Sequence, residues 1–147
     1  MKNKKEKYIS LDTFINKALY DKKKGYYSKK DPFGKSGDFI TSPNISIMFS
    51  EMIAIWLISF WKKLGCPKKI NIIELGAGTG EMMDQILKTI NNFNQFKLSA
   101  KFYIHEKSVY LKNIQKKKIK KHDVKWINNL NNISLHPSIF IANEFFD

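Results

Sequence analysis

Apolar residues recur at helical spacing in Leu11, Phe14, Ile15, Ala18 and Leu19. A helix capped by Ser10 and running through Tyr20 is therefore predicted, with that stripe turned to the core. Residues 21–41 break the rhythm, because Gly25, Pro32, Gly34 and Gly37 fall among lysines, and a loop is predicted there. Ser42 followed by Pro43 is a helix start, and Gly65 followed by Pro67 is a stop, which predicts a helix over 43–64. Its residues are apolar on nearly every side, so it requires cover on several faces. The stretch 45–61 is short of the ~20 residues that cross a bilayer and carries Glu51 inside it, so a buried helix is expected, not a membrane span.

Beyond residue 66 the period changes. Ile70–Leu75 is a short, mainly apolar run, Glu81–Ile90 is amphipathic, 101–105 is a second strand pattern and 108–117 a second helix pattern. Val124–Ile127 and 138–142 are further strand candidates. Strands alternating with helices predict an α/β fold with a Rossmann-like parallel sheet. The expected organisation is an N-terminal helical or lid segment over 1–65 and a sheet unit over 66–147.

Composition narrows the partners. The chain has 147 residues and a net charge of +13, and each of its 26 basic residues is lysine. Arginine is the favoured residue for bidentate recognition of phosphate and guanine, so nucleic acid is disfavoured as a partner and the charge is read as a solvated lysine surface. Cys66 stands alone, which excludes an intrachain disulfide and a cysteine-rich zinc site. Residues 1–10 carry no apolar core and no small-residue cleavage site, so they are not a secretory signal. His105, His122 and His136 have no metal-ligand spacing and are read as structural or surface residues.

The chemistry concentrates where Ile72-Ile73-Glu74-Leu75 runs into Gly76-Ala77-Gly78-Thr79-Gly80 and then Glu81. Glycines let the backbone turn tightly and approach a ligand, and the following helix directs free N–H groups at it. A dinucleotide fingerprint needs its third glycine at position 81, where this chain has a bulky anion. The observed E-L-G-x-G-x-G resembles motif I of class I S-adenosylmethionine-dependent methyltransferases, whose loop wraps the methionine moiety. Glu106, at the end of the next strand, offers two oxygens that match the two hydroxyls of a ribose.

Several further stretches resemble the MidA-type family, methyltransferases related to the enzyme that methylates an arginine of a respiratory complex I subunit. These are Ala18-Leu19-Tyr20 with Gly25-Tyr26-Tyr27, Gly37-Asp38-Phe39 with Thr41-Ser42-Pro43, Ser108 with Leu111 and Gln115, Trp126, and Asn143-Glu144-Phe145-Phe146-Asp147. Asn44, Ser50, Ala77 and Thr79 depart from the usual pattern. The resemblance implies S-adenosyl-L-methionine as cofactor, held by Glu74, Gly76, Ala77, Gly78, Gly80 and Glu106, with Asn129 and Leu130 toward the adenine. Asn143 would order the backbone or touch the cofactor. With an arginine side chain as acceptor, Glu144 and Asp147 are the candidate catalytic carboxylates that orient it and take its proton. No metal is needed.

The family's sheet has the order 3-2-1-4-5-7-6, and its members are more than twice as long. An N-terminal fragment holding strands 1–4 is therefore expected, inactive by itself. The resemblance further implies a protein substrate and is compatible with a homodimer; residues 1–10, neither arginine-rich nor amphipathic as a mitochondrial presequence is, point to a bacterial cytoplasm, with the mitochondrial matrix as the expectation in a eukaryote. Asp38, Phe39, Tyr26 and Tyr27 are expected to fold over the cofactor. Two other classes fit the same motifs: a non-catalytic assembly protein with this fold, and an RNA methyltransferase.

Overall fold

The computed structural model describes residues 8–21, 23–29 and 46–145. Its centre is a four-stranded parallel sheet, β1 (Ile70–Leu75), β2 (Ala100–His105), β3 (Val124–Ile127) and β4 (Ser138–Ile141), in the order β3-β2-β1-β4. This is the 3-2-1-4 half of the expected sheet. Ile72 pairs with Phe102 on one side and Ile139 on the other, so β1 is central, in keeping with its burial on both faces. The helices are α1 (Leu11–Tyr20), α2 (Tyr26–Lys29), α3 (Ile47–Lys63), α4 (Glu81–Ile90), α5 (Asn94–Ser99) and α6 (Val109–Lys118).

Alternate residues of β1 feed two cores. Ile70 and Ile72 pack with Leu57, Trp61, Met83, Ile86 and Phe96 on one face, and Ile73 packs with Tyr103 and Ile127 on the other. Trp61 meets Phe96 edge-on at 5.5 Å, and its indole N–H donates to the Pro67 carbonyl at 3.0 Å, pinning the end of α3 to the start of β1. Gly65 adopts φ +80°, and Cys66 N–H donates back to Trp61 O at 3.1 Å, so the glycine stop works as predicted.

Several expectations change. α3 begins at Ile47, because Ser46 is extended at φ −142°; the predicted start at Ser42 and Pro43 lies outside the described residues. Nor is α3 covered on several sides among the described residues. Ser50, Ala54, Leu57, Ile58 and Trp61 are buried, while Met48, Met52, Trp56 and Phe60 are exposed. The α1 stripe likewise is not core: no residue of α1 is buried, and Phe14 is 58% exposed. Ser10 Oγ bonds Thr13 Oγ1 instead of capping a backbone N–H. α1 is held through its last residue, Tyr20, whose ring stacks on Tyr27 of α2 at 5.8 Å. α2 is a single turn inside the predicted loop, and α5 has no counterpart in the sequence reading. Six residues are too few to show a helical period.

Asn71 is a fully buried polar residue in β1. Its Nδ2 donates to Ser134 O at 2.8 Å and to Ser138 Oγ at 3.1 Å, and its Oδ1 accepts from Ser134 Oγ at 3.1 Å. It thereby clamps the approach to β4 onto β1. Asn71→Ala removes these three bonds from partners that water can still reach, Ser134 being half-buried and Ser138 exposed, and urea denaturation is expected to show a loss of about 1–2 kcal/mol.

Candidate cofactor site

The bend after β1 is built by backbone that only glycine adopts without strain. Gly76, Gly78 and Gly80 have φ of +67°, +53° and +85°. Gly76 N–H donates to His105 O at 3.0 Å, which ties the bend to the carboxyl end of β2. Gly80 N–H donates to Ala77 O at 2.7 Å and closes the turn into α4. A Cβ on Gly80 would stand 3.2 Å from Ile119 Cδ1 and 3.3 Å from Gln115 Cγ, so the third glycine lets α6 approach the start of α4. Glu81, which replaces the dinucleotide glycine, pairs with Lys118 of α6.

A cavity of about 140 Å³ opens at this edge of the sheet. Its lining includes Gly76 and Gly78 of the bend, Glu106 just after β2, and Tyr20 and Tyr27 of α1 and α2. Lys107 stands at its rim, with its ammonium 5.5 Å from the Tyr20 ring centre. Glu144 and Phe145, after β4, complete it. The Phe145 ring lies over Gly76: a Cβ there would be 2.6 Å from its Cδ2. A ligand entering the bend therefore has to share the space with this ring or displace it.

Glu106 is buried, and both of its oxygens are held. Oε1 accepts from Ser108 N–H at 2.8 Å, and Oε2 accepts from Gln115 Nε2 at 3.1 Å. Burial raises its pKa, opposed by the bonds from Ser108 and Gln115 and by Lys112. Glu74 lies fully buried beneath the bend, and its Oε2 has no hydrogen-bond partner among the described residues. Burial first, and the neighbouring Glu106 second, push its pKa from 4.5 up to about 8. The Tyr20 and Tyr27 phenols are also raised, by burial and then by the Glu106 charge. Ser108 Oγ donates to Tyr27 O at 2.6 Å and accepts from Leu111 N–H at 3.2 Å, so the residue that caps α6 also holds α2 over the cavity.

The structure thus brings Gly76, Gly78, Glu106 and Glu144 of the sequence-predicted set to one cavity, with Glu74 beneath it. Ala77 is buried, and Gly80 faces α6. Asn129 and Leu130 are exposed and do not line the cavity; the Asn129 side chain accepts from Asn131 N–H at 2.9 Å and caps a single 3₁₀ turn. Asn143 also stands outside the lining, its amide 3.4 Å from Glu144 Oε1. Glu144 has left-handed backbone at φ +48°. Asp147, Asp38 and Phe39 lie outside the described residues. His105, read as structural or surface, is a lining residue. Sequence reasoning gave no role to Gln115. Its spacing of seven from Ser108 puts both on one helix face, which is the signal that was available.

A parallel sheet whose glycine bend and neighbouring strand-tip acid open on one cavity defines an α/β protein built to hold a nucleoside-type ligand at the carboxyl edge. A family model described as "Putative S-adenosyl-L-methionine-dependent methyltransferase" matches residues 52–147, and the chain belongs to this family. It is 31% identical over 163 aligned residues to the protein arginine methyltransferase NDUFAF7 of Xenopus laevis, covering 95% of this chain and 37% of that one. The Drosophila melanogaster homologue is 40% identical over 97 residues, 66% of this chain and 22% of its own. Both relatives are mitochondrial proteins, and the chain spans little more than a third of the first one's length. A COG1565 superfamily protein from Burkholderia thailandensis, solved with S-adenosyl-homocysteine, has the same fold. Its TM-score is 0.70 at 22% identity, over 90% of this chain and 36% of that one.

Proposed function

We propose that this chain is the cofactor-holding part of an S-adenosyl-L-methionine-dependent methyltransferase that acts on an arginine side chain of a protein. The observation that carries the reading is the convergence of Gly76, Gly78 and the Glu106 carboxylate on one cavity at adjacent strand ends. Family membership and the NDUFAF7 relatives support it.

The residues suit the cofactor's three parts. Glu106 has lone pairs left after its two protein bonds, and these can accept both ribose hydroxyls. The glycine bend admits the methionine portion without a Cβ in the way. The partnerless Glu74 Oε2 is an acceptor that lacks a donor, and an α-ammonium is such a donor. When bound, the cofactor supplies an activated methyl group on a sulfonium. Around it the protein positions and dries the site: Tyr20 and Tyr27 close the outer wall, and Glu144 at the cavity edge orients a guanidinium and receives its proton. Asp147 is the second carboxylate proposed for that task. Where the source cell is eukaryotic, the mitochondrial relatives support the matrix as the compartment.

The direct test is isothermal titration of the chain with S-adenosyl-homocysteine. Saturable binding is expected, and its absence up to millimolar ligand would remove the reading. Glu106→Ala is expected to weaken that binding about 10- to 100-fold, the worth of charge-assisted hydrogen bonds to a buried diol. Methyl transfer by the longer protein to arginine peptides, compared with RNA, tests the acceptor.

A further inference from the structure

We propose that Gln115 is a positioning residue that sets the shape of the cofactor cavity by bracing three strands' ends at once; this rests on the cofactor reading above. Gln115 lies on α6 and is fully buried. Its Nε2 donates to Gly78 O at 2.8 Å and to Glu106 Oε2 at 3.1 Å, and its Oε1 accepts from Trp126 Nε1 at 2.8 Å. One amide thus links the bend after β1, the tip of β2 and β3.

The polarity of the network admits a single amide orientation. Both groups facing Nε2, the Gly78 carbonyl and the Glu106 carboxylate, are acceptors, while the indole N–H facing Oε1 is a donor. Turning the amide over would set oxygen against two acceptors and NH₂ against a donor. Filling the core would be served by Leu or Met, with no desolvation cost. What the amide adds is direction. It aims one Glu106 oxygen while Ser108 N–H, seven residues earlier on the same helix, aims the other. It also holds the Gly78 carbonyl back toward α6, which keeps the bend open. Being neutral, it does this without cancelling the Glu106 charge that a ligand diol meets. Gly80 is the enabling residue, since any Cβ there would press on Gln115 Cγ at 3.3 Å.

The test compares the chain with Gln115→Met, Gln115→Glu and Trp126→Phe, using S-adenosyl-homocysteine titrations at pH 6 and pH 8, each variant against wild type at the same pH. Gln115→Met is expected to bind about 10- to 100-fold more weakly with cooperative unfolding retained. Gln115→Glu keeps the shape but sets a carboxylate against Glu106. Its deficit is expected to be of that size at pH 8 and several-fold smaller at pH 6, as the added carboxyl takes up a proton and regains a donor. Trp126→Phe keeps both amide donors but leaves the buried Gln115 Oε1 without its donor, and it is expected to weaken binding less than Gln115→Met does, about three- to tenfold. Binding within twofold of wild type for Gln115→Glu at both pH values would overturn the proposal, as would a deficit that does not change with pH. If Gln115→Met does not fold, Gln115→Glu decides.

Amide hydrogen exchange separates this proposal from the cofactor reading. Should wild type fail to bind, the brace still predicts that Gln115→Glu speeds exchange at Ser108 N–H and Gly76 N–H about tenfold while the centre of β1 is unchanged. Unchanged exchange at those two amides would overturn it.

Discussion

Glu74→Gln is expected to make the ligand-free chain more stable at pH 8 while weakening its hold on S-adenosyl-homocysteine. Burial first, and the neighbouring Glu106 second, raise the Glu74 pKa from 4.5 to about 8, and its Oε2 has no hydrogen-bond partner among the described residues. The folded state therefore binds this proton more tightly than the unfolded state. The stability that follows is fully present below pH 4.5 and is lost as pH rises toward 8, at about 1.4 kcal/mol per pH unit, and above that both states are ionised and the slope ends. Burial raises Glu106 in the same direction. Urea titrations at pH 5 and pH 8 are expected to show wild type losing about 3–5 kcal/mol more than the glutamine variant over that interval. Ligand binding reads the other side of the same group. An ammonium favours the ionised carboxylate, so wild-type affinity is expected to climb from pH 6 to pH 8.5, and the variant is expected to be flat and about tenfold weaker at the upper end. Parallel pH slopes in the two proteins would contradict this account of Glu74.

Gly76→Val is expected to abolish measurable cofactor binding, a loss of more than about 100-fold, and to lower stability by about 2 kcal/mol. The residue sits at φ +67° with its N–H committed to His105 O, so the backbone cannot relax without breaking the link between β1 and β2. Its Cβ would point at the Phe145 ring, into the space the methionine portion needs. Gly65→Val is the control. Its φ of +80° imposes similar strain, but nothing lies within 4 Å of its Cβ position. Comparable loss of melting temperature in both variants, with binding lost only in the first, separates the site from the strain.

Residues 70–80 are legible in the sequence because every signal in them is local: an apolar run long enough for a strand, then glycines, then an amphipathic helix. Glu106 is legible for the same reason, as a polar residue that ends a strand pattern. α1 shows the opposite case. Its period is helical, and it folds as a helix, yet its apolar stripe stays exposed because periodicity says which residues share a face and nothing about what stands opposite. Asn129 follows the same logic. Its amide oxygen suits an adenine, but an adjacent backbone N–H captures it.

By itself the sequence determined the strand–helix alternation of a parallel sheet, the glycine bend and the acid at the neighbouring strand's tip, since each rests on residues close in the chain; the 3-2-1-4 order followed from the family resemblance, because it sets Asn71 of β1 against the distant Ser138 of β4. Tertiary structure alone decided that Gln115 meets Gly78, Glu106 and Trp126, that Tyr20 lines the cavity, and that Glu74 is buried with no donor to its Oε2 among the described residues. The Gln115 contacts join residues 9 to 37 positions apart, and the cavity brings residues from both ends of the described chain together. Burial, which turns an ordinary carboxyl into one that ionises near pH 8, is a property of the whole packed fold and of no segment in it.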